Sequence, residues 1–234
     1  MEHISKAQIK FIRSLQQKKY RDESGMFVAE GSKCIEELSR SFELVLRVNS
    51  SNASATEIAQ MSGLRTPQGE IAVFKKRAAE ERHNAPQDNR LVLALDDIQD
   101  PGNLGTILRT ADALNIPVVL LEGCADPYSH KTVRASMGAV FRSPVVRTTW
   151  ENAYNTCRDA GIDVAVTALS DRAVDLRNAP ISQMAVVIGS EGQGVRKEIL
   201  EAAQAELIIP MNENCESLNA AIAASIVMWE MTQL

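Results

Sequence analysis

The chain of 234 residues is long enough for one large domain or two small ones, and its 45% hydrophobic content is ordinary for a globular protein. Its net charge of −5 argues against a protein that simply coats a polyanion, although residues 1–85 hold 14 lysines and arginines against 11 acidic residues. No apolar run approaches the roughly 20 residues that span a bilayer, and the N-terminus lacks the apolar stretch of a signal peptide, so we expect a cytoplasmic protein.

The first third of the sequence predicts a small α/β unit. Apolar residues at helical spacing, with basic residues between them, indicate an amphipathic helix over residues 5–20. Ser32 is placed to cap the helix that follows. The other elements expected here are a short strand or turn at 25–31, that capped helix at 32–39, strands at 42–48 and 71–74, and a weak helix at 56–61. Residues 75–90 are polar and lack an apolar period, so we expect one domain over 1–85 and a second over 86–234.

The second domain shows a pattern of buried strands that alternate with helices. Short apolar runs without polar alternation indicate strands that are covered on both faces. These runs lie at 91–95, 118–121, 144–147, 164–168, 186–188 and 207–209. Helices are expected between most of them, at 104–114, 150–160 and 196–203. The alternation predicts a parallel sheet with helices on both faces, where ligands bind at the carboxyl ends of the strands.

Cysteine and histidine supply few candidates for chemistry. The four cysteines are scattered, without a CxxC pair or a histidine at metal-ligand spacing, so we expect no zinc or other metal site and no disulfide framework. None of the three histidines stands beside a candidate nucleophile, which leaves a Ser/His/Asp hydrolase poorly supported. The chemistry must therefore rest on other groups.

The segment DPGNLGTILRTAD, residues 100–112, follows the first strand of the second domain. It opens with a turn, and Asn103 can cap the helix after it, a structural role that explains this residue about as well as a functional one does. Arg109 lies six residues further on, so we expect it on nearly the same helix face as Asn103, directed toward the same strand-end cleft. On spacing alone, Arg109 is more simply a solvated helix charge.

The segment GSEGQG places Gly189, Gly192 and Gly194 at the end of a strand, where a ligand can approach the backbone closely. A phosphate-binding loop is the usual alternative, but the lysine and the Ser/Thr of a P-loop are absent. Glu191 would also repel a phosphate. A carboxylate in this loop suits a cationic or hydroxyl-bearing ligand better.

The segment IIPMNENCESLNAAIA, residues 208–223, ends a strand, makes a polar turn and enters an alanine-rich helix. Ser217 is placed to cap a helix over 218–232, and close helix packing explains the small residues inside it. Asn219 is harder to explain structurally, because it occupies the first turn of that helix beside the strand-end cleft.

In this order, the three segments resemble the motif set of the SpoU-type, S-adenosylmethionine-dependent RNA 2′-O-methyltransferases. Residues 131–141 resemble the stretch between the family's first two motifs, and KKYR at 18–21 and FVAEG at 27–31 resemble the RNA-binding domain fused to many members. The resemblance implies an α/β fold of the SPOUT type, with a parallel sheet covered by helices on both faces and a C-terminal trefoil knot, preceded by a small α/β RNA-binding domain. Topology rules alone predict an unknotted sheet. Asn115 stands where the family usually has glycine, and asparagine tolerates a left-handed helix end.

The resemblance also implies roles for individual residues. The catalytic group is Asn103, Arg109, Glu191, Ser217 and Asn219. The S-adenosylmethionine site is formed by Thr167, Ala168, Leu169, Gly189, Glu191, Gly192, Gly194, Ile209, Met211, Ser217 and Leu218. The residues expected to contact RNA are Lys18, Lys19, Arg21, Lys131, Arg134 and Arg142.

The proton on the ribose hydroxyl is the difficult part of such a reaction, and the family mechanism often assigns the base to the residue at Arg109. Arginine normally stays protonated. We therefore expect Arg109 to hold the phosphate beside the target ribose and to polarise the hydroxyl, with direct proton acceptance left open.

Two other function classes compete with this interpretation. A catalytically silent RNA-binding protein on the same fold would be favoured by the loss of Arg109, Glu191 or Asn219, and all three are present. A Rossmann-type NAD enzyme is disfavoured because DPGNLG stands where GxGxxG is required. The resemblance implies a homodimer, and it favours ribosomal RNA over transfer RNA as the substrate.

Overall fold

The computed structural model describes residues 3–77, 91–139, 142, 145–212, 214 and 216–233. Its ten strands in this part of the chain are β1 (Met26–Glu30), β2 (Leu44–Val48), β3 (Ile71–Lys75), β4 (Val92–Leu95), β5 (Val118–Leu120), β6 (Val145–Arg147), β7 (Asp163–Thr167), β8 (Val174–Asp175), β9 (Met184–Ile188) and β10 (Ala205–Ile208). The α-helices described are α1 (Lys6–Ser14), α2 (Lys18–Ser24), α3 (Ser32–Leu38), α4 (Ala55–Met61), α5 (Pro101–Ala113), α6 (His130–Ala135), α7 (Trp150–Asp159), α8 (Lys197–Ala202) and α9 (Ala220–Met231).

The N-terminal unit is built on an antiparallel sheet of three strands in the order β1-β3-β2. The single helix predicted over 5–20 is wrong, since the chain leaves α1 at Leu15 and starts α2 after Gln17. The break is stabilised by Arg21, whose Nη1 donates to the carbonyl oxygens of Leu15 and Gln16 at 2.8 Å each. These carbonyls at the end of α1 would otherwise lack partners. The cap of α3 is Gly31 rather than the predicted Ser32.

The second unit is a sheet of seven parallel strands in the order β6-β5-β4-β9-β7-β10-β8. The parallel sheet and its six predicted strands are confirmed, and the central strand β9 is buried along its whole length. Apolar side chains of α5 and α9 pack on one face of this sheet, and those of α7 and α8 pack on the other. Helices therefore cover both faces, as predicted. The short edge strand β8 and helix α6 were not predicted.

Two predicted helix caps in the second unit are also wrong. The cap of α5 is Asp100, whose Oδ1 accepts hydrogen bonds from the backbone N–H groups of Gly102 and Asn103. The cap of α9 is Asn219 rather than Ser217. The expectation for Asn115 is confirmed, because this residue follows α5 with a φ of 54°, in the left-handed region.

The two units share one hydrophobic core. Phe27 of β1 packs against Tyr128, which precedes α6, with 5.1 Å between the ring centroids, and against Phe74 of β3. These side chains belong to the same buried cluster as the apolar residues of α5 and α9. The predicted boundary between residues 85 and 86 lies outside the described residues, and the trefoil knot stays a prediction. In the described part of the chain, every helix is too short or too polar to cross a membrane.

Candidate active site

A cavity of about 540 Å³ opens at the carboxyl ends of β7, β9 and β10. This is the edge of a parallel sheet at which ligands bind, and the volume lies in the range of small-molecule sites. All of the residues predicted to hold S-adenosylmethionine line this one cavity. They are Thr167, Ala168, Leu169, Gly189, Glu191, Gly192, Gly194, Ile209, Met211, Ser217 and Leu218.

The glycine loop after β9 folds back on itself. The N–H of Gly194 donates to the carbonyl of Ser190 at 2.9 Å, and the same two residues form an isolated β-bridge. Gly194 has a φ of 69°, which favours glycine. At Gly189, a Cβ atom would lie 2.1 Å from the carbonyl carbon of Gly194, so a side chain there would force the loop apart. The glycines thus keep the cavity wall compact.

Glu191 joins the loop to two helices. Its Oε1 accepts hydrogen bonds from the side-chain amide of Asn103, from Asn219 Nδ2 at 3.3 Å and from the backbone N–H of Ala220 at 3.2 Å. The carboxylate therefore lies at the N-terminus of α9, where the helix dipole favours a negative charge. All three sequence segments meet at this one oxygen atom.

Asn219 has two tasks in this arrangement. Its Oδ1 caps α9 by accepting from the backbone N–H groups of Ala221 at 3.0 Å and Ile222 at 3.3 Å, while its Nδ2 donates to Asn103 Oδ1 at 3.1 Å and to Glu191. Since Asp100 caps α5, the side chain of Asn103 is available for these contacts. Asn103 and Asn219 stand just behind the cavity wall and are connected to it through Glu191.

Arg109 lies on a different face of α5 from Asn103. At 3.6 residues per turn, a spacing of six residues turns the side chain roughly 120° around the helix, so the predicted common face is wrong. Asn103 and Thr110, seven residues apart, both face α9, where Thr110 Oγ1 lies 3.4 Å from Ser225 Oγ. Arg109 is exposed, and no described residue makes a hydrogen bond or ion pair with its guanidinium group.

Lys131 of α6, one of the basic residues expected to contact RNA, lies against the exposed side of α5. A Cβ atom on Gly102 would lie 3.3 Å from Lys131 Cε, and Lys131 Nζ pairs with Asp100 at 2.6 Å. The hydrogen bond from Lys131, followed by that from the N–H of Asn103, holds the pKa of Asp100 below its usual range. Lys131 therefore lies beside the start of the helix that carries Arg109.

The other basic residues that were predicted to contact RNA differ in whether their side chains are exposed. Arg21 is only 3% exposed and pairs with Asp126 at 2.8 Å, so its prediction as an RNA contact is wrong: its guanidinium group is part of the protein interior. Arg142 is half-exposed and pairs with Glu37 and Asp112, which joins the two units. Lys18, Lys19 and Arg134 are exposed.

Several residues that line the cavity were missed by sequence reasoning. They include Ser170, Gln193, Val195 and Glu216. Gln193 belongs to the glycine segment and Val195 directly follows it, so their position in or beside that loop was a usable signal. Elsewhere, among the residues that the structure describes, no group of three or more His, Cys, Asp and Glu side chains is arranged to hold a metal ion.

Two family models match the chain. The model described as the SpoU rRNA methylase family matches residues 90–229, and a model described as an MRM3-like substrate binding domain matches residues 6–48. These two segments correspond to the seven-stranded sheet and to the beginning of the N-terminal unit.

Individual relatives extend over both segments. The Bacillus subtilis 23S rRNA guanosine 2′-O-methyltransferase RlmP is 31% identical over 99% of this chain and 98% of its own. The structure of an AdoMet-bound rRNA methyltransferase from Sinorhizobium meliloti is 33% identical, with a TM-score of 0.86 over 99% of this chain and 96% of that chain. The TrmH/SpoU tRNA modifying enzyme of A. aeolicus, 22% identical with a TM-score of 0.54, covers 65% of this chain and 82% of that chain and shares the fold.

Proposed function

Since the chain belongs to the SpoU rRNA methylase family, we propose that it transfers a methyl group from S-adenosylmethionine to a ribose 2′-hydroxyl group of RNA. The main support from this chain is the contact of Asn103 and Asn219 with Glu191, which lies on the wall of a strand-end cavity. Each of these residues comes from a different segment, and together they hold a carboxylate beside the cavity. A ligand bound in the cavity can contact this carboxylate directly.

The cavity residues fit S-adenosylmethionine, which has a flat adenine, a ribose and a cationic sulfonium centre. Ile209, Met211 and Leu218 offer an apolar lining for the adenosine part, and the glycine loop exposes backbone donors and acceptors. Glu191 lines the cavity as an anion whose Oε2 accepts no hydrogen bond from a described residue. When bound, the cofactor supplies an electrophilic methyl group on sulfur.

The protein's part in the reaction is mainly alignment. Holding two reactants in one cleft lowers a barrier by about 7–11 kcal/mol in favourable intramolecular cases. We assign Arg109 to the RNA side, where its exposed guanidinium group holds the phosphate next to the target ribose and polarises the hydroxyl group. Asn103, Asn219 and Ser217 orient the groups between the phosphate and the cofactor.

The RNA path runs over the exposed side of α5 and onto the N-terminal unit. Arg109 lies on that side of the helix, Lys131 and Arg134 are exposed on the neighbouring α6, and Lys18 and Lys19 are exposed on α2. Ribosomal RNA is the favoured substrate, because RlmP, which acts on 23S rRNA, resembles both units, whereas the tRNA enzyme covers only part of the chain. Transfer RNA is the alternative.

We also propose two domains, over 1–85 and 86–234, and a homodimer that forms through α9. One face of this helix exposes large apolar side chains at helical spacing: Ile222 is 51% exposed, Ile226 is 37% exposed and Trp229 is 60% exposed. Contiguous exposed apolar groups indicate an interaction surface. Sedimentation equilibrium of the wild type and of Trp229→Asp tests this, and a wild-type monomer at micromolar concentration contradicts it. A cytoplasmic location stays a prediction.

The activity is tested by incubating the protein with S-adenosylmethionine labelled in its methyl group and with separate pools of ribosomal and transfer RNA. A ribose methyl group blocks alkaline cleavage at the modified nucleotide, so the label should lie at a position that resists alkali. Label at a position that is still cleaved would indicate base methylation and contradict the ribose assignment. Label in transfer RNA alone would select the alternative substrate.

A further inference from the structure

The glycine loop that forms the cavity wall has a second attachment besides Glu191, and it is made by one residue of β4's carboxyl end, Asp96. The backbone N–H of Asp96 donates to the carbonyl of Ile188 at 2.8 Å, where the loop leaves β9. The carboxylate of Asp96 accepts from Arg196 at the other end of the loop. A single residue thus holds the loop where it begins and where it ends.

The contact with Arg196 is built from two hydrogen bonds. The backbone N–H of Arg196 donates to Asp96 Oδ2 at 2.9 Å, and its side-chain Nε donates to Oδ1 at 2.7 Å. The side chain of Asp96 is completely buried, whereas that of Arg196 is about one-third exposed. A buried carboxylate whose two oxygens both accept from one residue fixes the position of that residue's main chain as well as its side chain.

The segment between these two ends is the part of the chain that lines the cavity. Every residue from Gly189 to Val195 contributes to the wall. Arg196 directly follows Val195, so its position determines where Val195 and Gly194 stand. Arg196 also reaches Glu122 with Nη2 at 2.8 Å, and this carboxylate accepts from the backbone N–H of Trp150 at the start of α7. The loop is therefore tied to the ends of β4 and β5.

We propose that Asp96 and Arg196 are positioning residues that set the affinity for S-adenosylmethionine by holding the glycine loop in its binding conformation. This inference rests on the proposed function of the cavity. Neither residue lines the cavity, so both act through the loop. The start of α5 is also held by the side chain of Asp100, which makes no contact with Asp96 or Arg196.

The main test is Asp96→Asn, which preserves shape but removes the charge and faces an amide donor toward Arg196. We expect the KM for S-adenosylmethionine to rise at least about tenfold, with kcat at saturating cofactor and the KM for RNA within about threefold of wild type. Arg196→Gln should act in the same direction. Arg196→Lys retains the backbone hydrogen bond and a cation, so it should recover most of the affinity. A merely structural defect would lower kcat through the folded fraction and leave KM unchanged.

A matched control is Glu70→Gln in the N-terminal unit, where the carboxylate accepts from Arg47 Nε at the same distance of 2.7 Å. This variant loses a comparable ion pair far along the chain from the loop, and its KM for the cofactor should stay at the wild-type value. An unchanged KM in Asp96→Asn, or an equal rise in Glu70→Gln, would overturn the proposal.

Hydrogen exchange without the cofactor separates this inference from the proposed function. In Asp96→Asn, the amide of Gly194, which bonds to Ser190, should exchange at least about tenfold faster than in wild type, because the loop opens more often. If this amide exchanges faster in Asp96→Asn, but calorimetry shows that the wild type binds no S-adenosylmethionine, the attachment of the loop is supported and the cofactor assignment is refuted. If the wild type binds S-adenosylmethionine but the Gly194 amide of Asp96→Asn exchanges at the wild-type rate, the proposed attachment of the loop is refuted.

Discussion

Asn103 and Asn219 are separated by 116 positions in the chain, yet Asn219 Nδ2 donates a hydrogen bond to Asn103 Oδ1 at 3.1 Å. Both amides also bond to the same oxygen of Glu191. The three side chains therefore fix the relative positions of α5, α9 and the glycine loop. This arrangement therefore requires α9 to lie beside α5.

Asn219→Ser separates the two tasks of this residue. Serine caps helices about as well as asparagine, so α9 should keep its stability to within about 0.5 kcal/mol. The shorter side chain cannot reach Asn103 or Glu191, and we expect kcat to fall by at least about tenfold, since misplaced catalytic groups lose alignment.

Asn219→Ala removes the cap as well and should cost about 1 kcal/mol of unfolding free energy. Thermal denaturation and a methyl-transfer assay check both. Full activity in Asn219→Ser would show that only the cap matters.

Arg109→Lys tests the guanidinium group on the RNA side. A lysine retains the charge but cannot make the planar two-point contact with phosphate, so we expect kcat to fall by about a hundredfold. Because Arg109 is exposed, the unfolding free energy should change by less than about 0.5 kcal/mol. The affinity for S-adenosylmethionine, measured by calorimetry, should stay at the wild-type value.

The control for this variant is Arg158→Lys, which alters another exposed arginine near the end of α7, beside Asp159. Its turnover should equal that of the wild type. Near-normal turnover of Arg109→Lys, with unchanged affinity for RNA, would remove any role for the guanidinium fork.

The sequence was informative about elements and motifs, and less so about how side chains are used within them. Buried parallel strands are visible as unbroken apolar runs, which is why β4 and β9 were predicted within a residue or two. Helix caps were harder, because several residues near each start can accept the same N–H groups. In the structure, Asp100 rather than Asn103 caps α5, and Asn219 rather than Ser217 caps α9.

The roles of basic residues depended on tertiary contacts that spacing does not reveal. Arg21 stands in a basic segment and resembles its exposed neighbours in sequence, yet it is directed inward because the end of α1 and Asp126 need a donor. The attachment of the glycine loop through Asp96 and Arg196 was likewise invisible, since the two residues are 100 positions apart and neither belongs to a recognised motif.

Arg21→Gln should therefore lower the stability of the protein without affecting RNA binding, whereas Lys19→Gln should weaken RNA binding without affecting stability. Removing one partner of a buried ion pair typically costs about 3–5 kcal/mol, so Arg21→Gln should lower the unfolding free energy strongly, because it leaves Asp126 buried without its cation. Lys19→Gln should leave the stability within about 0.5 kcal/mol of wild type, since surface pairs contribute little.

For RNA binding, Lys19→Gln is the variant that should differ from wild type. Lys19→Gln should reduce the salt dependence of binding by about one unit in the slope of log K against log salt, whereas folded Arg21→Gln should bind like wild type. Denaturation and filter binding at several salt concentrations decide this.

The contact between Glu30 and His130 predicts how the joint between the two units responds to acid. Glu30 is 2% exposed, lies 3.3 Å from His130 Nε2, and accepts from Ser62 Oγ and from the N–H of Gln68. Burial raises the pKa of Glu30, but the nearby imidazole of His130 and the hydrogen bonds from Gln68 and Ser62 outweigh it and hold the pKa below the usual 4.5. The folded chain therefore binds this proton less readily than the unfolded chain. The resulting stability is present above pH 4.5 and is lost as the pH falls through the lower, folded pKa.

Glu30→Gln should remove this part of the acid sensitivity. The variant is expected to be less stable than wild type at neutral pH, because the amide loses the charge-assisted hydrogen bonds, and the difference should shrink as the pH falls below about 4.5. Urea denaturation at a series of pH values measures it. Glu201→Gln, which alters a carboxylate that is 66% exposed, provides the control and should run parallel to wild type. Parallel curves for Glu30→Gln would mean that Glu30 does not carry the acid sensitivity of the joint.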